Sequence, residues 1–223
     1  MHYCQACDHP HLMTPNGRIA RCPACGGVDP NAVTRPLFVV TGASGSGKST
    51  IFPELLGRAA GLCAVFDVDW LIDPLSRAAR DGKVDWPSFR DAWLHVAHGV
   101  AQNGLATLLL GPFIPEHLED LPGRPWVGEI HYLVLDCPDD LRRRRIEARP
   151  RWRARDIDEQ TEFARWLREN IAPVIDTSTD SPARVAEAVA AWVKGLCGCP
   201  QPGRDRRERA EYWLRIFRRS ATR

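Results

Sequence analysis

The chain has 223 residues, of which 44% are apolar and 26% charged, with a formal net charge of +2. That length can bury one full core and a small appendage, and that balance belongs to globular chains rather than disordered ones. No run of 18 apolar residues is present to span a membrane, the opening Met1-His2-Tyr3-Cys4 is not a basic-then-apolar leader, and +2 alone does not argue for nucleic acid. A cytoplasmic location is the expectation.

Residues 1–30 read as a unit of their own. Cys4-Gln5-Ala6-Cys7 is followed after fourteen residues by Cys22-Pro23-Ala24-Cys25-Gly26-Gly27. Two C-x-x-C knuckles at this separation suit a tetrahedral Cys₄ zinc ribbon, with Cys4, Cys7, Cys22 and Cys25 as ligands. Four thiolates leave no open position for water, so the zinc would be structural, supplying folding energy that so few apolar side chains cannot. His9 and His11 lie between the knuckles as possible substitute ligands. Residues 29–36 read as a linker, and the main domain is expected over 36–195.

The domain opens on an apolar strand, Leu37 to Val40. It runs into Gly42-Ala43-Ser44-Gly45-Ser46-Gly47-Lys48-Ser49-Thr50, and then into helical spacing at Ile51, Leu55, Leu56 and Ala59. Strand, glycine loop and helix in that order are what a G-x-x-x-x-G-K-[ST] phosphate loop requires. Its N–H groups would face phosphate oxygens at the positive end of a helix. Lys48 would reach the β- and γ-phosphates, and the Ser49 hydroxyl would sit on Mg²⁺.

A second strand, Cys63 to Phe66, ends in Asp67-Val68-Asp69-Trp70. Helices are expected over 74–81 and from Ser88, as cap, to Asn103. A third strand, Ala106 to Leu110, ends at Gly111-Pro112-Phe113, and a fourth, Ile130 to Leu135, at Asp136-Cys137-Pro138. Helices follow over 139–148 and about 156–170, then a brief strand, Pro173 to Asp176, and a last helix from Pro182 to Lys194. Strands alternating with helices predict an α/β fold: a five-stranded parallel sheet with helices on both faces. Its binding edge lies at the carboxyl ends of the strands. Residues 196–223 form a basic tail, with a helix expected over Arg204–Arg219 whose apolar stripe docks on the domain.

The chain has no N-K-x-D guanine reader, and no acidic pair ends its third or fourth strand, so GTPases and AAA+ ATPases fit poorly. From Pro36 to Gly195 it resembles the P-loop kinases of the gluconate kinase, shikimate kinase and chloramphenicol phosphotransferase group. The resemblance rests on the loop, Asp67-x-Asp69, the glycine turn after the third strand, the arginine-rich segment from Arg142 to Arg155, and Asp176-Thr177-Ser178. It implies an ATP- and Mg²⁺-dependent enzyme moving a γ-phosphate to a hydroxyl or phosphate of a small molecule. Asp67 would hold Mg²⁺ through water, and Asp69 would contact the acceptor hydroxyl as base; residues two apart at a strand end point the same way. Arg149 and Arg153 are expected on phosphate, whereas Arg142 to Arg145 read as a solvated basic face. Asp176 and Thr177 would border the adenine or else cap the next helix. Trp70, Arg77, Arg80, Trp86, Arg90, Gly111, Phe113 and Ile114 are expected around the acceptor. The ribbon and tail depart from the group and open other readings: a kinase of polynucleotide ends, or an ATPase docked to a protein partner through its ribbon.

Overall fold

The computed structural model describes residues 14–16, 19–21, 25–27, 34–79, 81–150 and 156–197. Cys4, Cys7, Cys22, Arg80, Arg153 and the expected tail helix lie outside them. Near the start, β1 (Thr14–Asn16) and β2 (Ile19–Arg21) pair antiparallel, Thr14 opposite Arg21.

The main body is one parallel sheet of β3 (Leu37–Thr41), β4 (Cys63–Asp67), β5 (Ala106–Leu110), β6 (Ile130–Asp136) and β7 (Val174–Asp176). Their spatial order is β4-β5-β3-β6-β7. β3 and β5 are apolar apart from Thr41 and Thr107 because both faces of a parallel sheet are covered, and every residue of each is buried.

Alternation along the strands sorts the core into two layers. Phe38, Val40, Leu108, Leu110, Leu133 and Leu135 meet Ile51 and Leu55 of α1 (Lys48–Arg58) and Val185, Val189 and Val193 of α6 (Pro182–Cys197). Leu37, Val39 and Leu109 face the other way, onto Phe89, Trp93, Leu94 and Ala97 of α3 (Trp86–Ala101). Val134 meets Leu167 and Ile171, which belong to α5 (Ile157–Asn170) and its cap. Full burial of such side chains is worth about 1.5–3 kcal/mol each, so the sheet is pinned from both sides.

Several expected boundaries shift. Asp69 and its neighbours form a 3₁₀ turn, Val68–Leu71, that leads into α2 (Ile72–Ala78), earlier than the helix read over 74–81. Asp85 caps α3 in place of Ser88: its carboxylate accepts the Ser88 N–H at 3.1 Å, and Pro87 occupies the first turn. Carboxylates outrank a hydroxyl already inside the turn because their side chain reaches the orphan amides of the first turn. α6 runs through Gly195 to Cys197, its Val193 and Cys197 buried one turn apart, so packing overrides the low helix propensity of glycine.

Candidate active site

The glycine loop leaves β3 at Thr41 and enters α1 at Lys48. Gly42 passes so close to β6 that a Cβ there would stand 2.5 Å from the Leu135 carbonyl oxygen, so only glycine fits. Gly47, the residue before the helix, has φ +94°, a left-handed conformation that costs glycine little and other residues more.

The carbonyl side of the loop is bound from beneath. Arg142, in α4 (Asp139–Glu147), donates to the Ser44 carbonyl at 3.2 Å, and Arg145 donates to the Gly45 carbonyl at 3.0 Å. The Thr177 hydroxyl lies 3.0 Å from the Ser46 carbonyl and the same distance from the Asp136 carbonyl, between which its one proton must choose. With three successive carbonyls held on one side, the N–H groups turn to the other. Among the described residues those of Gly45, Gly47, Lys48 and Ser49 donate to no protein group, while Ser44 N–H donates to Gln160 Oε1 at 2.8 Å. Orphan amides at a helix start form an anion-binding cradle.

This underside overturns the reading of Arg142 to Arg145 as a solvated basic face. Arg142 is fully buried and pairs with Asp136, and it also donates to the Cys137 carbonyl at 3.1 Å. Arg168 of α5 adds a bond to the other Asp136 oxygen at 2.9 Å. Arg145 spans Gly45 and Thr177, donating to the Thr177 carbonyl at 3.0 Å. Only Arg143 and Arg144 point outward, to Asp158 and Asp140. A run of four arginines on a helix covers every direction, so one of them must meet the sheet.

The amides open into a cleft of about 900 Å³ at the carboxyl ends of β3, β4 and β5. Gly42, Ser44, Gly45, Ser46, Gly47, Lys48, Ser49 and Thr50 line it, together with Asp67, Asp69 and Arg149. Ala43 is buried behind the loop; its carbonyl accepts from Lys48 at 3.1 Å. Asp176 and Thr177 stand outside the lining: Asp176 Oδ1 accepts the Ser178 N–H at 2.7 Å, and Thr177 is tied to the loop's underside.

Lys48 Nζ curls over the loop, donating also to the Gly42 carbonyl, with Ser46 Oγ at 3.3 Å. Burial lowers its ammonium to about 8; the Arg149 guanidinium presses the same way, and Asp69 and Asp67 oppose it. Five charged groups thus share one neighbourhood: Lys48, Arg149, Arg142, Asp69 and Asp67. Asp67 Oδ1 accepts the Asp69 N–H at 3.0 Å, capping the 3₁₀ turn. Asp69 is exposed in the cleft.

Compared with solved structures, the chain is similar to the tunicamycin resistance protein of Deinococcus radiodurans, at 20% identity and a TM-score of 0.55 over 71% of this chain and 95% of that one. It is also similar to a sugar kinase from Janibacter sp. HTCC2649, at 19% identity and a TM-score of 0.51 over 74% of this chain and 98% of that one. Its fold is that of the P-loop kinases. No protein-family model and no curated protein sequence matches the chain.

The rest of the P-loop cleft is built from α2, α3, the segment after β5 and α5. Of the residues expected around the acceptor, Trp86, Arg90, Gly111, Phe113 and Ile114 line it. Trp70 instead packs edge-on against Phe52 and Phe66, and Arg77 turns outward to Asp73. Sequence reading missed Phe89, His117, Glu159, Gln160 and Phe163. Phe163 follows Gln160 by three positions and Glu159 by four, so it neighbours each of them on α5, a signal present in the sequence; His117 lies in a turn with no periodicity to mark it.

Among the described residues no group of three His, Cys, Asp or Glu could hold a metal, and no helix is long and apolar enough to cross a membrane. Cys25, the one expected zinc ligand among them, is exposed, and its Sγ accepts the Gly27 N–H at 3.4 Å.

Proposed function

We propose that the protein is an ATP- and Mg²⁺-dependent phosphotransferase that moves a γ-phosphate to a hydroxyl or phosphate of a small molecule. The observation that carries this reading is the shared opening: orphan loop amides, Lys48, Asp67 and Asp69 all face one cleft. An ATPase without an acceptor would have little use for the room beyond the loop.

The donors suit the groups they would hold. The loop amides and Lys48 would bind the β- and γ-phosphates of ATP, with Arg149 as the nearby cation against charge that develops on transfer. Arg153, from the same arginine-rich segment, belongs to that proposal by sequence alone. The Ser49 hydroxyl and the Asp67 carboxylate are hard oxygen donors, the kind Mg²⁺ takes. When bound there, Mg²⁺ would offset phosphate charge and fix its geometry. Asp69 would accept the proton of the acceptor hydroxyl as that oxygen bonds to the γ-phosphorus and the bond to the β-phosphate oxygen breaks, releasing ADP. The segment carrying Asp176 and Thr177 would border the adenine through its backbone, while the Thr177 side chain holds the loop.

For residues 1–30 we propose a structural zinc on Cys4, Cys7, Cys22 and Cys25. The paired spacing supports it, as does the N–H bond onto Cys25 Sγ, which stabilises a thiolate.

The deciding experiment measures ADP release across nucleosides, nucleoside monophosphates, sugar acids and hydroxylated antibiotics, with Lys48→Ala as control. Acceptor-dependent ADP release lost in that variant is the expected result. Release that persists without Lys48, or wild type that fails to bind MgATP, overturns the reading.

A further inference from the structure

The cleft has a second cationic end. Arg90 lies one turn after Trp86 on α3 and lines the cleft, as does His117 from the turn after β5. Among the described residues Arg90 makes no hydrogen bond and no ion pair, although it is half-buried. A partly desolvated guanidinium is ordinarily matched by a carboxylate or by carbonyls. His117 Nδ1 is likewise buried without a hydrogen-bond partner. The two side chains feel each other: burial first, then Arg90, lowers the His117 imidazolium, so the neutral ring offers one N–H.

Arg90 comes from α3 and His117 from the turn after β5, whereas Lys48 and Asp67 sit at the ends of the phosphate loop and β4. Aromatic rings line the same cleft. Trp86 packs edge-on against Phe89, with centroids 5.5 Å apart, and Phe89 against Phe113 at 6.1 Å. Trp86 itself is 49% exposed, so its ring is open to contact.

We propose that the acceptor carries an anionic group, a carboxylate or a phosphate ester, that docks on Arg90 and His117 while its apolar or ring-shaped body lies along Trp86. Its receiving hydroxyl then faces Asp67 and Asp69. The phosphate loop cannot be the anion's seat, because the donor's own phosphates would occupy it; the uncompensated Arg90 can. The inference rests on the phosphotransferase reading and narrows it to acidic acceptors.

The test uses the full chain saturated with MgADP, with inorganic sulfate as probe and tryptophan fluorescence as readout. Saturable sulfate binding is expected in the wild type, at least tenfold weaker in Arg90→Gln, and within twofold of wild type in Arg77→Gln, whose arginine is exposed and paired with Asp73. Equal binding in wild type and Arg90→Gln, or no saturable binding at all, overturns the proposal. Matched acceptors distinguish the two anions: 3-hydroxybenzoate against its methyl ester, and a nucleoside monophosphate against its nucleoside. In any pair that turns over, the anionic member should have at least tenfold higher kcat/KM, and Arg90→Gln should erase that preference by raising its KM while the KM for ATP stays within twofold. A neutral member used as well as its anionic partner overturns the proposal; if neither pair turns over, the sulfate result decides. MgATP binding measured alongside separates the failures. Its loss in the wild type sinks the kinase reading, whereas intact MgATP binding with indifferent Arg90→Gln sinks this inference alone.

Discussion

Arg142 reaches from α4 to pair with Asp136, the last residue of β6, directly beneath the phosphate loop. The same guanidinium holds the Ser44 carbonyl, so one buried side chain ties the sheet's end, the helix and the loop together. Removing one partner of a buried pair leaves an uncompensated charge and costs about 3–5 kcal/mol. Arg168 still reaches Asp136, so the lower end of that range applies to Arg142→Met. Urea denaturation of that variant should show a loss of about 3 kcal/mol, with MgATP affinity weakened because Ser44 is no longer held. An unchanged midpoint would mean the pair is not a support of the loop.

Lys48 should set the pH dependence of nucleotide binding. Held at about 8, it is charged below that pH and neutral above it, and a bound triphosphate favours the charged form. The affinity for MgATP should therefore be level below pH 8 and weaken by about tenfold per unit above it. At pH 8, binding should take up about half a proton. Calorimetry in two buffers of different ionisation enthalpy reads that uptake directly, and Lys48→Ala should abolish it. Proton release in place of uptake would show that the sign is wrong.

Asp67 and Asp69 should separate on substitution. Asp69→Asn removes the proposed base and should lower kcat by about 10²–10⁴ with little change in MgATP affinity. Asp67→Asn keeps an oxygen for the Asp69 N–H, so the turn should survive while the Mg²⁺ concentration for half-maximal activity rises. Asp67→Ala should further lose the cap, about 1 kcal/mol. If Asp69→Asn left kcat within threefold, the base would have to be sought elsewhere in the cleft, with Glu159 the next carboxylate lining it.

Residues 1–30 carry a prediction that needs no substrate. Purified protein should contain one zinc per chain by elemental analysis, and Cys25→Ser should reduce it to less than half. Protein prepared without chelators that carried no zinc would remove the ribbon from the proposal.

Much of the fold was legible because it is written in local patterns. The short apolar runs Leu37–Val40 and Ala106–Leu110, the latter broken only by Thr107, read as strands covered on both faces, and the loop between Thr41 and Ile51 names its own chemistry by residue type and spacing. Asp67 and Asp69 were read from a D-x-D pattern after the second strand; both line the cleft, although Asp69 does so from a 3₁₀ turn rather than from the strand. None of these inferences needs a distant residue.

The tertiary structure alone decided which arginines are structural and which are free to meet a ligand. Arg142 and Arg90 look alike in sequence, each an arginine inside a helix, yet one is buried against Asp136 and Ser44 and the other stands uncompensated in the cleft. His117 and the α5 face reach the site from segments 40 residues or more apart in the chain. A side chain's charge is a property of its residue, but what neutralises that charge depends on neighbours brought together by folding, and composition and periodicity carry no record of them.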